Sequence, residues 1–155
     1  MLWIIASVVF ALDRAAKLLA EKHITQPITA IPGVLELRLT RNTGMALSLL
    51  SGNTVAVIAL PLLAIGVCLL AFRKYRLTAY TRVAVGLVLG GFAGNWMDRV
   101  LLGYVPDMLY FPWLPWFVCN VADVAICAGV VLIAVSLLCR PQDWRERTHE
   151  DHSAT

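Results

Sequence analysis

Charged residues are scarce in this sequence. Asp, Glu, Lys and Arg make up 15% of its 155 residues, whereas soluble domains carry about 25%. Hydrophobic residues make up 59%, and the mean hydropathy is +0.74. A helix that crosses the hydrocarbon needs about 20 apolar residues, so a chain of this length accommodates about four spans and their loops. The composition excludes a soluble globular domain and predicts an integral membrane protein.

Cysteine and histidine are also too few, and too scattered, to form a disulfide framework or a metal site. Cys68, Cys127 and Cys139 lie inside apolar runs and Cys119 adjoins one, so all four are interpreted as small apolar residues that pack well. No Cys/His cluster has metal-ligand spacing, and we expect neither a metal nor a cofactor. The net charge of +3 does not predict nucleic-acid binding, because no loop combines basic and aromatic residues in a usable patch.

Several catalytic motifs are missing as well. The absence of HExxH excludes the zincin mechanism. Ser48 and His23 lack a GxSxG-type elbow and a third orienting residue, which disfavours nucleophilic catalysis. Gly90 and Gly94 have the small-xxx-small spacing that is typical of closely packed membrane helices.

Four apolar runs are present, and they predict four transmembrane helices. They cover residues 2–20, 55–72, 83–97 and 121–139. A cleaved signal peptide is a poor interpretation of the first run, because no basic region precedes it and charged residues interrupt it. We predict a membrane domain over residues 1–140 and a polar, disordered tail over residues 141–155.

Two longer segments, 21–53 and 98–120, connect these runs. Residues 34–40 alternate apolar with polar side chains for part of their length, which predicts a half-buried strand. The short turn 73–82 and residues 140–155 hold seven of the 13 basic residues, whereas the two longer segments hold four. The positive-inside rule therefore predicts cytoplasmic termini, with both longer segments at the extracytoplasmic face.

Three aspartates fall near the predicted outer face. Asp98 follows the third run, Asp107 lies in the loop after it, and Asp123 lies in the first turn of the fourth helix. Two neighbouring carboxyl groups share a proton, so one can deprotonate a water while the other protonates an amide. This predicts acid–base peptide hydrolysis without a covalent intermediate. Each acid alone also fits a helix cap or a salt bridge, and Asp98 with Arg99 fits an interfacial ion pair.

Amides converge on the same predicted face. Asn95 precedes the end of the third run, Asn120 precedes the fourth helix, and Asn42-Thr43-Gly44 lies in the first long segment. Asp13 and Lys17 are four residues apart and therefore share one helix face. They form either a self-neutralising pair or a strut that bonds to polar groups at the outer face.

Five segments of the chain match one known family. They are Asp13-Arg14-Ala15-Ala16-Lys17, Arg41-Asn42-Thr43-Gly44-Met45-Ala46-Leu47-Ser48, Gly90-Gly91-Phe92-Ala93-Gly94-Asn95-Trp96-Met97-Asp98-Arg99, Gly103-Tyr104-Val105-Pro106-Asp107 and Asn120-Val121-Ala122-Asp123. Over about residues 1–140 the chain resembles the bacterial lipoprotein signal peptidases (signal peptidase II). Each segment alone is weak, but five in this order and spacing on a chain with four apolar runs are highly specific.

The resemblance implies an aspartic endopeptidase that cuts signal peptides from prolipoproteins just before a diacylglyceryl-modified cysteine. The family's catalytic aspartates fall on Asp107 and Asp123. Its supporting or substrate-binding positions fall on Asp13, Lys17, Asn42, Gly44, Asn95, Asp98, Arg99 and Asn120. The expected fold is an all-α membrane protein, with four transmembrane helices and a small extracytoplasmic β-sheet. The expected setting is a monomer in the bacterial inner membrane, with lipid-modified prolipoproteins and membrane lipids as partners.

The chain also departs from the family pattern. Arg14 stands where Gln is common, and Met45-Ala46-Leu47 stands where Ala-Ala-Phe is common. Pro106 and Met108 replace Val and Phe, and Cys119 replaces Phe. No departure removes a catalytic carboxylate. We expect Pro106 to alter the local loop geometry, and Met45 and Met108 to reshape the substrate groove.

Two other classes of protein fit part of the sequence. A small proton-coupled transporter would use Asp13 as its proton site, but such proteins usually have short loops and a weak topology bias. A non-catalytic scaffold that binds lipid or partner helices accounts for the composition but not for the clustered Asp and Asn residues.

Overall fold

The protein, represented by a computed structural model, is described over residues 1–44 and 54–146. In chain order its elements are α1 (Leu2–His23), β1 (Ile28–Ile31), β2 (Leu35–Asn42), α2 (Thr54–Phe72), α3 (Ala79–Leu102), β3 (Val105–Tyr110), β4 (Val118–Cys119), α4 (Val121–Cys139) and a 3-10 helix (Pro141–Trp144). The four predicted helices are confirmed, and the strand predicted over 34–40 is β2. Met45 and Ser48 lie outside the described residues, as do residues 147–155 of the predicted tail.

Small residues bring α3 against both of its neighbours. A Cβ atom added to Gly90 would lie 2.5 Å from the carbonyl oxygen of Ala6 in α1. On the other side, a Cβ on Gly91 would lie 2.5 Å from the carbonyl oxygen of Ala122 in α4. Without side chains at these positions the helix backbones approach closely, as the glycine spacing predicted. The tight part of the bundle is therefore α1, α3 and α4, and α2 lies beside α3.

We expect Gly91→Ala to destabilise the bundle by about 1–3 kcal/mol, because the new methyl group has no room against the backbone of α4. The measurement is Tm in detergent. Gly66→Ala in α2 is the matched control, since nothing lies within 4 Å of a Cβ there. Equal Tm values for the two variants would show that α3 and α4 can separate without cost.

The third helix is longer than its apolar run. It begins after Thr78, whose side chain accepts a hydrogen bond from the N–H of Thr81, and it ends at Gly103, which has φ 78°. Glycine adopts this left-handed conformation readily and commonly ends helices. Asp98 and Arg99 therefore lie on the last turns of α3, and not in a loop beginning at residue 98 as expected.

The two long segments form one antiparallel sheet with the strand order β1-β2-β3-β4. β2 pairs with β3, so that Thr40 lies opposite Asp107 and Asn42 opposite Val105. One extra residue in β2 between Leu37 and Thr40 shifts the register and forms a bulge. The sheet thereby brings Asn42, from the first segment, beside Asp107, from the second.

Pro106 does not interrupt this sheet. It lies within β3, buried and opposite Arg41. β4 pairs with β3 at Leu109 and Tyr110, so no bond to β4 is lost at the proline, which lacks an N–H. Met108, the other departure beside Asp107, is 4% exposed and contributes to the core.

Among the described residues, α4 is the one helix that is long and apolar enough to cross a membrane by length and composition. Charged residues interrupt the apolar run of α1 and end that of α3. Asp13, Lys17 and Asp98 are all fully buried between these two helices. The interruption follows from a polar cluster inside the bundle.

The start of the predicted tail differs from the expected disorder. Residues 141–144 form the 3-10 helix, in which Asp143 is buried. Its Oδ2 accepts hydrogen bonds from Ser136 Oγ at 2.9 Å and from Arg140 Nε at 2.7 Å. The ring of Trp144 lies 5.5 Å from that of Phe72. This segment therefore fastens the end of α4 to the end of α2.

Candidate active site

Asp107 is buried in β3 and is held by two amides. Its Oδ2 accepts a hydrogen bond from Asn42 Nδ2 at 2.9 Å, and its Oδ1 accepts one from Asn120 Nδ2 at 2.6 Å. Burial raises the pKa of Asp107 from the ordinary 3.8 to about 6. The hydrogen bonds from the two amides oppose this rise, and the charge of Asp123 adds to it. A carboxyl group with such a pKa carries a proton more readily than an exposed one.

Asp123 lies in the first turn of α4 and takes part in its N-terminal cap. Its N–H donates to Asn120 Oδ1 at 2.9 Å, and its Oδ2 accepts from the N–H of Asn120 at 3.2 Å. This reciprocal pair is a capping box. Its other oxygen, Oδ1, accepts from Asn95 Nδ2 at 2.7 Å. The helix-cap interpretation of this acid is therefore correct, and the same cap fixes the direction of its carboxyl group.

Asn120 thus contacts both aspartates, and both line one cavity of about 410 Å³. Asn42, Asn95 and Arg99 line the polar side of this cavity, while Trp116 and Ile126 contribute apolar wall. The cavity has polar groups at the carboxylates and apolar surface beyond them. An amphipathic substrate fits these walls.

Lys17 lies at the centre of a buried polar cluster behind the aspartates. Its Nζ is 2.6 Å from Asp13 Oδ2, 2.7 Å from Asp98 Oδ2 and 2.8 Å from Asn95 Oδ1. The contact with Asn95 is a hydrogen bond, and the contacts with the two carboxylates are ion pairs. Arg14 pairs with the other oxygen of Asp98, so two acids and two bases balance in charge.

The cluster fixes which way the two asparagines face. Lys17 can only donate, so the amide atom of Asn95 that it contacts must be the oxygen. Asn95 therefore turns its Nδ2 towards Asp123. The same oxygen also accepts from Asn120 Nδ2 at 3.2 Å, which leaves Asn120 Oδ1 for the helix N–H. The charged Lys17 and the N–H of Asp123 thus agree on the direction of both amides, and each amide presents its Nδ2 to an aspartate.

Asp13 also reaches α4 directly. Its Oδ1 accepts a hydrogen bond from the N–H of Ala122 at 2.9 Å, one of the first-turn N–H groups that have no partner inside a helix. Asp13 therefore pairs with Lys17 and also forms a strut to the N-terminal end of α4, so that both suggested contacts are present.

Arg99 links the site to the first long segment. Its Nη1 donates to the carbonyl oxygen of Asn95 at 3.3 Å and its Nη2 to that of Gly44 at 3.0 Å. The N–H of Gly44 donates to Asn42 Oδ1 at 3.0 Å. The suggested ion pair between Asp98 and Arg99 is wrong, because Asp98 pairs with Arg14 and Lys17 instead.

All ten predicted site residues lie in this one network of hydrogen bonds and ion pairs, and their roles stay predictions. Arg14 is the member that the sequence did not single out. It was noted only as a departure from Gln, yet it neutralises Asp98. The signal was the complementary charge of Arg14, inside the first apolar run, and Asp98, directly after the third.

The pKa of Asp107 leads to a prediction about stability. The folded state holds the proton up to about pH 6 and the unfolded state only up to about 3.8, so stability falls as pH rises through this window. The change amounts to about 3 kcal/mol. We expect Tm in detergent to fall between pH 4 and pH 7, and to fall less in Asp107→Asn. An identical pH dependence in both proteins would mean that another group is responsible.

A pair of carboxyl groups held by amides at the wall of one cavity is the constellation of an aspartic peptidase. The family model for signal peptidase II matches residues 5–139, and the chain belongs to this family.

Known relatives agree with this assignment. The chain is 36% identical to a lipoprotein signal peptidase of Geobacter metallireducens, covering 87% of this chain and 88% of that protein. It is 34% identical to one of Enterococcus faecalis, covering 88% and 86%. A solved bacterial membrane enzyme superposes with a TM-score of 0.79 at 28% identity, covering 94% of this chain and 92% of that one.

Proposed function

We propose that this protein removes the signal peptide from diacylglyceryl-modified prolipoproteins, with Asp107 and Asp123 as its catalytic residues and no cofactor. The observation that carries the proposal is Asn120, whose side chain binds Asp107 at 2.6 Å while its backbone N–H binds Asp123 at 3.2 Å. One residue therefore keeps both carboxyl groups at the same cavity. The relatives' shared name, lipoprotein signal peptidase, supports the choice of substrate.

The two aspartates differ in their surroundings, and the proposed roles follow from that difference. Asp123 accepts N–H groups on both oxygens at a helix N-terminus, which favours its ionised form. Asp107 has a pKa raised to about 6 by burial and by the neighbouring charge of Asp123. In the proposed reactive form Asp107 holds the single proton of the pair, and this form predominates below about pH 6.

The reaction then needs only these two groups and a water. Asp123 takes a proton from the water as its oxygen attacks the scissile carbonyl carbon, and Asp107 gives its proton to the carbonyl oxygen. A tetrahedral diol results. Its collapse breaks the C–N bond, with Asp123 delivering its proton to the leaving nitrogen and Asp107 recovering one from the diol. Both carboxyl groups return to their starting states.

The protein's exposed apolar surface supports a substrate that arrives within the membrane. Trp113 and Trp116 are 65% and 66% exposed near the sheet, and Trp116 also lines the cavity. At the far end of the bundle Leu138 is 84% exposed. In the proposal all four helices span the membrane, and the aspartates lie at the outer boundary, where tryptophan is enriched. The signal peptide lies beside the bundle and the diacylglyceryl chains stay in lipid.

The proposed topology has cytoplasmic termini, an extracytoplasmic sheet and a monomeric chain. The basic turn at Arg73, Lys74 and Arg76 supports this orientation. Trypsin added to sealed spheroplasts tests it, because trypsin cleaves after Arg and Lys and reaches only the outer face. Cleavage within the 73–78 turn would reverse the topology.

Mass spectrometry of a purified reaction tests the activity. The protein in phosphatidylcholine liposomes is incubated with a diacylglyceryl-modified precursor and, separately, with the same precursor lacking the lipid. We expect a product that begins at the modified cysteine, and at least tenfold slower cleavage of the unmodified precursor. Cleavage of the modified and the unmodified precursor at the same rate would show that the enzyme does not recognise the lipid. Cleavage of neither precursor would reject the proposed function.

A further inference from the structure

A second cavity lies at the end of the bundle opposite the aspartates. It has a volume of about 410 Å³ and is lined by Leu2, Arg76, Leu77 and Arg82. Arg82 and Asp98 both lie in α3, and their separation along the helix corresponds to about 24 Å. This cavity is therefore distinct from the candidate active site, and the proposed peptidase chemistry does not use it.

The charge around this cavity favours an anion. It is lined by two guanidinium groups, and no acidic side chain lines it in the described part of the chain. Arg82 is exposed, and its side chain has no hydrogen-bond or ion-pair partner among the described residues. α3 begins at Ala79, between the two arginines, and a helix N-terminus adds partial positive charge. Arginine pairs with phosphate through two parallel hydrogen bonds, which suits this arrangement.

The turn that carries Arg76 is held in position by the C-terminal segment. The N–H of Arg76 donates to the carbonyl oxygen of Arg145 at 2.9 Å. Next to it, Tyr75 forms a β-bridge with Glu146, and its ring lies 5.5 Å from that of Trp144. The β-bridge with Tyr75 is made by the backbone of Glu146. The start of α1 is fixed as well, because a Cβ on Gly86 would lie 2.9 Å from the carbonyl oxygen of Leu2.

Apolar surface adjoins the two arginines. Leu2 and Leu77 line the cavity itself, and the next residues of α1, Trp3 and Ile4, are 73% and 67% exposed. A free phosphate would contact only the arginines and leave this apolar surface uncovered. A phospholipid contacts the arginines with its headgroup and the apolar surface with an acyl chain. We propose that this cavity binds the phosphate headgroup of an anionic membrane phospholipid, with an acyl chain along the start of α1. The site is independent of the peptidase function.

Native mass spectrometry of the full chain in detergent tests the site, with dioleoylphosphatidylglycerol as the probe. We expect one saturable lipid per protein, and about tenfold weaker binding in Arg82→Gln because a charge-assisted hydrogen bond is lost. Arg73→Gln is the matched control, since it removes the same charge from the neighbouring turn outside the cavity lining. Its affinity should stay within about twofold of the parent.

Other probes separate the sources of the phosphate. Dioleoylphosphatidylcholine should bind at least tenfold more weakly, and so should glycerol phosphate, which lacks acyl chains. If Arg82→Gln and Arg73→Gln lose the same amount of lipid affinity, general surface charge and not this cavity is responsible for the binding. Binding of glycerol phosphate as tight as that of the lipid would reassign the cavity to a soluble phosphate, and absence of saturation would remove the site. The rate of prolipoprotein cleavage by Arg82→Gln in phosphatidylcholine liposomes should equal that of the parent. If the lipid-binding proposal fails, the peptidase proposal is therefore unaffected.

Discussion

Asp107→Asn and Asp123→Asn should each lower the rate of prolipoprotein cleavage at least about 10³-fold. Asparagine keeps the size of the side chain but can neither take a proton from water nor give one to a carbonyl oxygen. The loss should fall on kcat, because in the proposed mechanism the carboxyl groups act on the reacting atoms while the apolar walls of the cavity hold the substrate. The measurement is the initial rate of signal-peptide release from a lipid-modified precursor in liposomes.

Two comparisons sharpen that experiment. Asp143→Asn makes the same change at another buried aspartate, at the far end of α4, and should change Tm but leave kcat near the parent value. The double variant of Asp107 and Asp123 should be hardly slower than either single variant, because two residues that act as one unit do not add. Cleavage at more than a tenth of the parent rate in either single variant would reject the pair.

Lys17→Met should produce the second largest effect. The substitution leaves Asp13 without its cation inside the bundle, and breaking a buried ion pair costs about 3–5 kcal/mol. It also removes the charged donor to Asn95 Oδ1, one of the two contacts in the described part of the chain that turn the Nδ2 of Asn95 towards Asp123. We therefore expect a large fall in Tm and, in the protein that still folds, about 10–100-fold lower kcat.

Two further variants separate folding from positioning. Leu18→Met places methionine at the next residue of α1, where the side chain is 57% exposed, and should resemble the parent in both measurements. Adding Asp13→Asn to Lys17→Met removes the uncompensated charge and should recover much of the Tm without recovering kcat. If kcat returns together with Tm, Lys17 has only a structural role.

The sequence predicted some elements to the residue and others poorly, for physical reasons. The run 121–139 coincides with α4 because no charge interrupts it. The run 83–97 stopped short of the end of α3, since Asp98 and Arg99 looked like the start of a polar loop. Across the bundle, Asp98 is neutralised by Arg14 and Lys17. The residue pattern along one helix does not show that a charged residue in it has an ion-pair partner on another helix.

The sheet shows the same limit. β2 was predicted because apolar and polar residues alternate over part of its length. β3 is buried along most of its length and gives no alternation, so neither it nor the two-residue β4 was predicted from the residues. The three acids and three amides were correctly placed at one end of the bundle by chain geometry. The choice of Asp107 and Asp123 among them needed the family resemblance.

The capping box of α4 ties the assembly of the proposed catalytic pair to the folding of one helix. Asn120 closes the first turn through Asp123, and the same side chain holds Asp107. While the fourth segment is still being synthesised or inserted, that turn does not exist and the two acids have nothing to hold them at a common water. In the proposed mechanism the protein therefore stays inactive until α4 has formed and packed against the rest of the bundle.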